Sequence, residues 1–160
     1  MSEKTLRLEV DDDGIALITL DDATRPMNVV SPEFIDEMIA AIERVAGDAA
    51  IRGAIITSAK PAFMAGADLK YIATLTGGAI SPDAAVEFSR KPSIDMHRRL
   101  ETCGKPFVAA INGLALGGGY ELCLACHHRV LGDTPEAKVG LAVKSCSRPP
   151  RVTCSLPSEP

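Results

Sequence analysis

The chain of 160 residues contains no apolar run near the roughly 18 residues that a membrane-spanning helix needs. Met1-Ser2-Glu3-Lys4 is not a basic region followed by an apolar stretch, so a secretory signal is not expected. Neither charge is in large excess. Seventeen Lys and Arg stand interspersed among 21 Asp and Glu, for a net charge of −4, which argues against a broad nucleic-acid surface but leaves room for a local basic patch. The five cysteines are an odd number without an export signal, and they read as reduced thiols rather than a disulfide framework. No period marks solenoid repeats. What remains is one soluble domain, expected in the cytoplasm with neither membrane nor nucleic acid as partner. Its hydrophobic content of 46% suffices for a single core.

Apolar runs at residues 6–10 and 15–20 flank Asp11-Asp12-Asp13-Gly14, the pattern of two strands joined by a tight turn. Ser31-Pro32-Glu33 is a helix start, with Ser as cap, Pro at the first position and an acid in the first turn. Ile35, Met38, Ile39, Ile42 and Val45 recur at helical spacing and predict one buried face. Buried strands are expected at 53–57 and 107–111, with a small-residue loop at 61–68. A second helical region opens at Ser81-Pro82-Asp83, and Pro92 breaks or restarts it before Leu100. Another helix is expected from Tyr120 to about Cys126. Strands alternating with helices argue for a mostly parallel α/β architecture.

Two loops concentrate the chemistry. One is Pro61-Ala62-Phe63-Met64-Ala65-Gly66-Ala67-Asp68-Leu69-Lys70, after the first of those buried strands. The other is Asn112-Gly113-Leu114-Ala115-Leu116-Gly117-Gly118-Gly119-Tyr120-Glu121-Leu122, after the second. Strand ends of open α/β sheets are the usual place for ligands, and small residues let a ligand approach the main chain. A helix beginning just after Gly118 points free N–H groups and the positive end of its dipole into the same space. Such a place suits a carbonyl oxygen that gathers negative charge, where one donor is typically worth about 3–4 kcal/mol of barrier. Glu121, in the first helical turn, is placed to exchange a proton with water or a substrate carbon. Taken alone, the glycine run reads equally well as a helix packed closely on a sheet.

Together, Phe63-x-Ala65-Gly66-Ala67-Asp68-Leu69 and Asn112-Gly113-x-Ala115-x-Gly117-Gly118-Gly119-x-Glu121-Leu122 resemble the enoyl-CoA hydratase/isomerase, or crotonase, superfamily over residues 6–141. Asp68-Leu69-Lys70 and Ala125-Cys126-His127-His128-Arg129-Val130 look most like the N-terminal hydratase domain of multifunctional fatty-acid oxidation enzymes. The resemblance implies an α/β fold of the crotonase-like (ClpP/crotonase) type, a spiral of ββα units. It implies an oxyanion hole from the N–H groups of Ala67 and Gly118, with Glu121 as the first catalytic glutamate. Substrate or coenzyme A contacts would fall on Ala65, Gly66, Asp68, Leu69 and Gly117. The implied reaction is hydration of trans-2-enoyl-CoA in fatty-acid β-oxidation, or the related double-bond shift. No metal and no resident cofactor are implied, coenzyme A being part of the acyl-CoA thioester substrate. Assembly into a homotrimer or hexamer is implied as well.

The family pattern also carries a second glutamate, in a Gly-Leu-Pro-Glu-type segment further along. Lys138-Val139-Gly140-Leu141 reaches that segment, but Ala142 and Val143 stand in the places of Pro and Glu. Neither side chain transfers a proton. From Ala142 the resemblance stops. Residues 142–160, with Pro149, Pro150, Pro157, Pro160, Cys146 and Cys154, read as a poorly ordered tail, and the abrupt change suggests a frameshift. Residues 1–141 are then a partial domain, incomplete and lacking the C-terminal helical part. The alternative function is a catalytically inactive fragment that at most binds acyl-CoA.

Other signals point elsewhere. Cys123-Leu124-Ala125-Cys126-His127 fits a haem-attachment pattern, and with His128 it offers four zinc-type ligands, but no second ligand pair has matching spacing. Buried thiols on an apolar helix are the simpler account. Leu122 stands where a dinucleotide fingerprint needs glycine, and no Gly-x-Ser-x-Gly elbow occurs. Asp68 and Lys70 read as a helix-start acid and a solvated base, and His97, beside Arg98 and Arg99, as a helix surface residue. Arg25 lies in a loop before the first helix, where nothing in the sequence fixes its contacts.

Overall fold

The turn residues at 11–14 do what their chemistry suggests. The Asp11 carboxylate accepts hydrogen bonds from the backbone N–H groups of Asp13 and Ile15, and strands β1 (Leu6–Val10) and β2 (Ile15–Leu20) pair antiparallel on either side. These coordinates come from a computed structural model that describes residues 4–76 and 90–141.

Helix α1 (Pro32–Gly47) starts where its sequence directs: Ser31 Oγ accepts from the Phe34 N–H at 3.2 Å. Losing such a cap typically costs about 1 kcal/mol. Phe34, Ile35, Met38, Ala41, Ile42 and Val45 form its buried face, with Ile39 at the margin. Burying each large apolar side chain contributes about 1.5–3 kcal/mol. At the far end, Lys105 Nζ donates to the Val45 carbonyl at 2.7 Å, a cation closing a helix C-terminus.

Strand β3 (Gly53–Ser58) follows, then α2 (Leu69–Thr76), α3 (Lys91–Arg98) and α4 (Arg99–Thr102). Segment α3 is wound as a π-helix with Pro92 in its first turn; Arg90 before it is already helical and the segment runs directly into α4, so the proline changes the winding without interrupting the helix. Strand β4 (Phe107–Ile111), the short β5 (Ala115–Leu116), α5 (Gly118–Ala125), β6 (His128–Leu131) and the short β7 (Val139–Gly140) complete the described elements. The main sheet runs β1-β2-β3-β4-β6, parallel from β2 onward, and β5 and β7 form a separate parallel pair. The mixed α/β, mostly parallel architecture is as the sequence implies. Helix α5 begins at Gly118, two residues before its expected start. The helix expected at Ser81-Pro82-Asp83 and the tail at 142–160 lie outside the described residues.

The sequence offered no strong strand signal at β6. Its residues His128, Arg129, Val130 and Leu131 are all exposed, and it forms an edge of the main sheet. It is held by backbone pairing to β4 and by polar links from its flank. His127 Nδ1 accepts the Phe107 N–H at 3.2 Å, and Arg129 Nη1 donates to the carbonyls of Cys123 and Cys126 at the end of α5.

Candidate active site

Strands β3 and β4 are parallel neighbours, so the loops that leave them emerge on the same side of the sheet. Backbone hydrogen bonds zip the two loops together. Met64 N–H donates to Leu114 O at 3.0 Å and Leu116 N–H to Met64 O at 3.0 Å, giving a parallel bridge between Met64 and Ala115. A third strand of chain joins from before α1: Ala65 N–H donates to Asn28 O, Val30 N–H to Gly66 O and Asp68 N–H to Val30 O. The Asn112 side chain ties the end of β4 to the carbonyls of Ser58 and Lys60.

Asn28 anchors this junction. It is buried, and its Nδ2 donates to Leu20 O, Ser58 Oγ and Phe63 O, while its Oδ1 accepts from the Asp22 N–H. A buried amide satisfied on every side fixes the loop more firmly than apolar packing, because any displacement strands polar groups.

The consequence is convergence at Ala67 and Gly118. A Cβ built on Gly118 would lie 3.8 Å from Ala67 N, and one built on Gly66 would lie 3.8 Å from Gly118 N. Among the described residues, neither the Ala67 nor the Gly118 N–H has an acceptor, whereas those of Ala65, Asp68 and Gly117 are engaged, the last with Gly140 O. Gly118 opens α5 with Gly117 before it at φ 49 and ψ −124, a conformation suited to glycine. Gly66 is buried, Ala65, Gly117 and Gly118 are half-buried, and Ala67 is exposed, so the gap between the two amides opens to solvent.

Asp68 is buried and serves two partners. Its Oδ1 accepts from the N–H groups of Lys70 and Tyr71 at the start of α2, and its Oδ2 pairs with Arg25 Nη2 at 2.9 Å. The helix-start reading of Asp68 therefore holds, as does that of Lys70 as an exposed base. Arg25, which sequence reasoning left unplaced, is fixed here. It also approaches Asp22 at 3.7 Å, and its Nη1 is buried with no acceptor among the described residues. Leu69 is 76% exposed, the most exposed large apolar side chain described.

Glu121 stands in the first turn of α5, one helical turn beyond Gly118, and is exposed. One neighbour was missed by sequence reasoning. His97 is no surface residue: it is half-buried on α3, and its Nε2 is buried without a hydrogen-bond partner. Burial pushes its pKa below the ordinary 6.5, against the raising charges of Glu121 and Glu101. The only sequence clue was its place next to Met96, a core residue; flanking Arg98 and Arg99 pointed the other way. Cys123 and Cys126 are buried in α5, their thiols donate to the carbonyls of Gly119 and Leu122, and burial raises both to about 12.

The fold is that of a mostly parallel α/β protein in which two loops from neighbouring strands bring the Ala67 and Gly118 amides close together at the start of α5. The chain belongs to the enoyl-CoA hydratase/isomerase family, which its residues 11–147 match. It is 39% identical over 140 residues to the fatty acid oxidation complex subunit alpha of Idiomarina loihiensis, and 41% identical to that of Shewanella loihica. Each alignment covers 87% of this chain and 19% of the relative, so the chain spans about a fifth of these curated relatives. Among solved structures, an enoyl-CoA hydratase/isomerase from Xanthobacter autotrophicus superposes with a TM-score of 0.75 at 31% identity, covering 88% of this chain and 49% of the other. An enoyl-CoA hydratase from Bacillus anthracis gives 0.73 at 29%, covering 86% and 50%.

Proposed function

We propose that the chain binds an acyl-CoA thioester and supports hydration of trans-2-enoyl-CoA, the chemistry of fatty-acid β-oxidation. In this step water adds its hydroxyl to C3 and a proton reaches C2, while negative charge passes through the thioester oxygen as an enolate. The N–H groups of Ala67 and Gly118 hold that oxygen, each such donor being worth about 3–4 kcal/mol of barrier. Glu121 orients the water and carries the proton. Coenzyme A arrives with the substrate, and the proposed step draws on no metal or resident cofactor. Ala65, Gly66, Asp68, Leu69 and Gly117 line the approach of the thioester. A homo-oligomer in the cytoplasm is the proposed setting, and no helix among the described residues is long and apolar enough to cross a membrane.

One observation supports this reading: two N–H groups without acceptors among the described residues, from different loops, lie beside the same gap. A second reading, acyl-CoA binding without turnover, is favoured by Val143 standing where the family pattern has its second glutamate. With one carboxylate left for both proton roles, turnover is expected to be slow. Loss of absorbance at the enoyl-thioester band of crotonyl-CoA tests both readings, with Glu121→Gln as control. Turnover abolished in the variant supports the hydratase, and binding without turnover supports the second reading. If crotonyl-CoA neither binds nor turns over, both are wrong.

A further inference from the structure

Segment α3 packs against both α1 and α5. It is wound as a π-helix, a form that is uncommon and frequent at functional sites. His97, near its end, has an Nε2 atom that is out of contact with water and without a protein partner. A buried polar atom left unpaired costs about 1–3 kcal/mol. The carboxylate on the facing helix is Glu121, in the first turn of α5, whose charge already acts on the imidazole.

Asp95 lies two residues before His97 on the same segment, and the pairs around α4 are made. On α4, Glu101 also faces His97, but it is paired with Arg98 at 3.1 Å, and Arg99 is paired with Glu43 of α1. We infer that His97 is a positioning residue for Glu121: Nε2 is unpaired in this structure, and a turn of the Glu121 side chain toward α3 lets the Nε2–H donate to the carboxylate and hold it beside the gap between Ala67 and Gly118. The inference rests on Glu121 being the proton carrier of the proposed reaction.

The chemistry favours a neutral imidazole in that role. A cation against Glu121 would hold the carboxylate ionised and make it a poor proton donor. A neutral Nε2–H orients one carboxylate oxygen and leaves the other free to exchange a proton with water or substrate. Burial supplies the neutral form, because it outweighs the two glutamate charges acting on the ring.

The test is long-range imidazole nitrogen NMR on the full chain, alone and with saturating butyryl-CoA, in the wild type and in Glu121→Gln. His97 is assigned among the three histidines by His97→Gln. The expected result is a neutral ring at pH 7 with its proton on Nε2. Its titration midpoint should fall by about 0.5 pH unit or more in Glu121→Gln, since an anion that raised it is gone. Glu121 is exposed, so this variant keeps the fold, and Glu121→Ala provides a second check. Backbone amide shifts of Ala67 and Gly118 on adding butyryl-CoA report the site itself. If those amides respond but His97 carries its proton on Nδ1, or titrates identically without Glu121, the positioning role is wrong and the site survives. If butyryl-CoA leaves both amides unmoved, the site reading fails and the role of His97 falls with it.

Discussion

Replacing Gly66 by alanine tests whether the two loops are held together as tightly as their backbone geometry requires. Gly66 sits at φ +102, and an added Cβ would lie 2.9 Å from the Leu116 carbonyl oxygen. Left-handed backbone costs a residue with a Cβ roughly 1–2 kcal/mol. Forcing a methyl against packed backbone adds about 1–3 kcal/mol. Leu116 cannot retreat freely, because its own N–H is bonded to Met64 O in the bridge joining the loops. A loss of about 3 kcal/mol is therefore expected, or a fall in Tm of about 6–12 °C for a domain of this size. Gly47, the last residue of α1, is the control: nothing lies within 4 Å of its added Cβ. Gly47→Ala should be neutral or stabilising by up to about 1 kcal/mol. Urea unfolding of both variants measures the difference directly. Equal stability of the two variants would refute the argument, since it would mean the loops do not meet as described. Gly66→Ala should also weaken the response of the Ala67 and Gly118 amides to butyryl-CoA, because the added methyl separates the turns that carry them.

Other consequences can be checked with the same material. Asn28→Ala should cost about 2–4 kcal/mol in urea unfolding, because it strands the carbonyl of Phe63 and the N–H of Asp22 in a buried place, while the Leu20 carbonyl keeps the Ala59 N–H; a loss under about 1 kcal/mol would mean water replaces the amide. Cys123 and Cys126, raised from 9.0 to about 12, should carry roughly a thousandfold fewer thiolates than ordinary cysteines. Iodoacetamide at pH 8 should leave both unmodified until urea unfolds the chain, as peptide mass spectrometry will read. For His97 the folded pKa lies below the unfolded 6.5, so the folded state binds fewer protons: its contribution to stability is complete above 6.5 and is lost as pH falls through 6.5 toward the lowered value. The urea midpoint of the wild type should therefore drop more between pH 7.5 and 5.5 than that of His97→Gln, and equal drops would count against a buried neutral ring.

The legible parts of this molecule are those whose signals are local. The cap at Ser31, the spacing of Ile35, Met38 and Ile42, and the Asp-rich turn before Gly14 each act within a few residues, and the structure bears them out. The two loops were legible only as a pair: the glycine run alone reads equally well as close helix–sheet packing, and the motif at residues 63–69 beside it decided the reading. Strand β6 was not, because exposed His128 and Arg129 give no alternation; pairing with β4 decides its conformation. His97 and Arg25 were illegible for a related reason. Both are cationic or titratable side chains in segments that read as surface, and only the packing of α3 on α5, or of the 22–25 turn on Asp68, removes their polar atoms from water.

That division explains why the two loops can meet in a chain that spans only about half of its structural neighbours. The links that set Ala67 beside Gly118 run between residues 28–30, 64–68 and 114–118, with Gly140 holding Gly117, and all lie within the described residues. The closeness of the Ala67 and Gly118 amides is thus a property of backbone hydrogen bonds near the gap. The surface around α5 and β6 is different. Leu124, Val130 and Leu131 are 45%, 52% and 49% exposed, and Glu121 is exposed on the same helix as Leu124. Main-chain donors stay aligned under solvent exposure because the sheet fixes them, whereas an exposed carboxylate with at most the His97 Nε2–H to hold it keeps more of its rotamer freedom. Binding at the gap should therefore tolerate an open surroundings better than proton transfer does. In kinetic terms, kcat should suffer more than acyl-CoA affinity, and a measured Kd as weak as the turnover is slow would contradict that order.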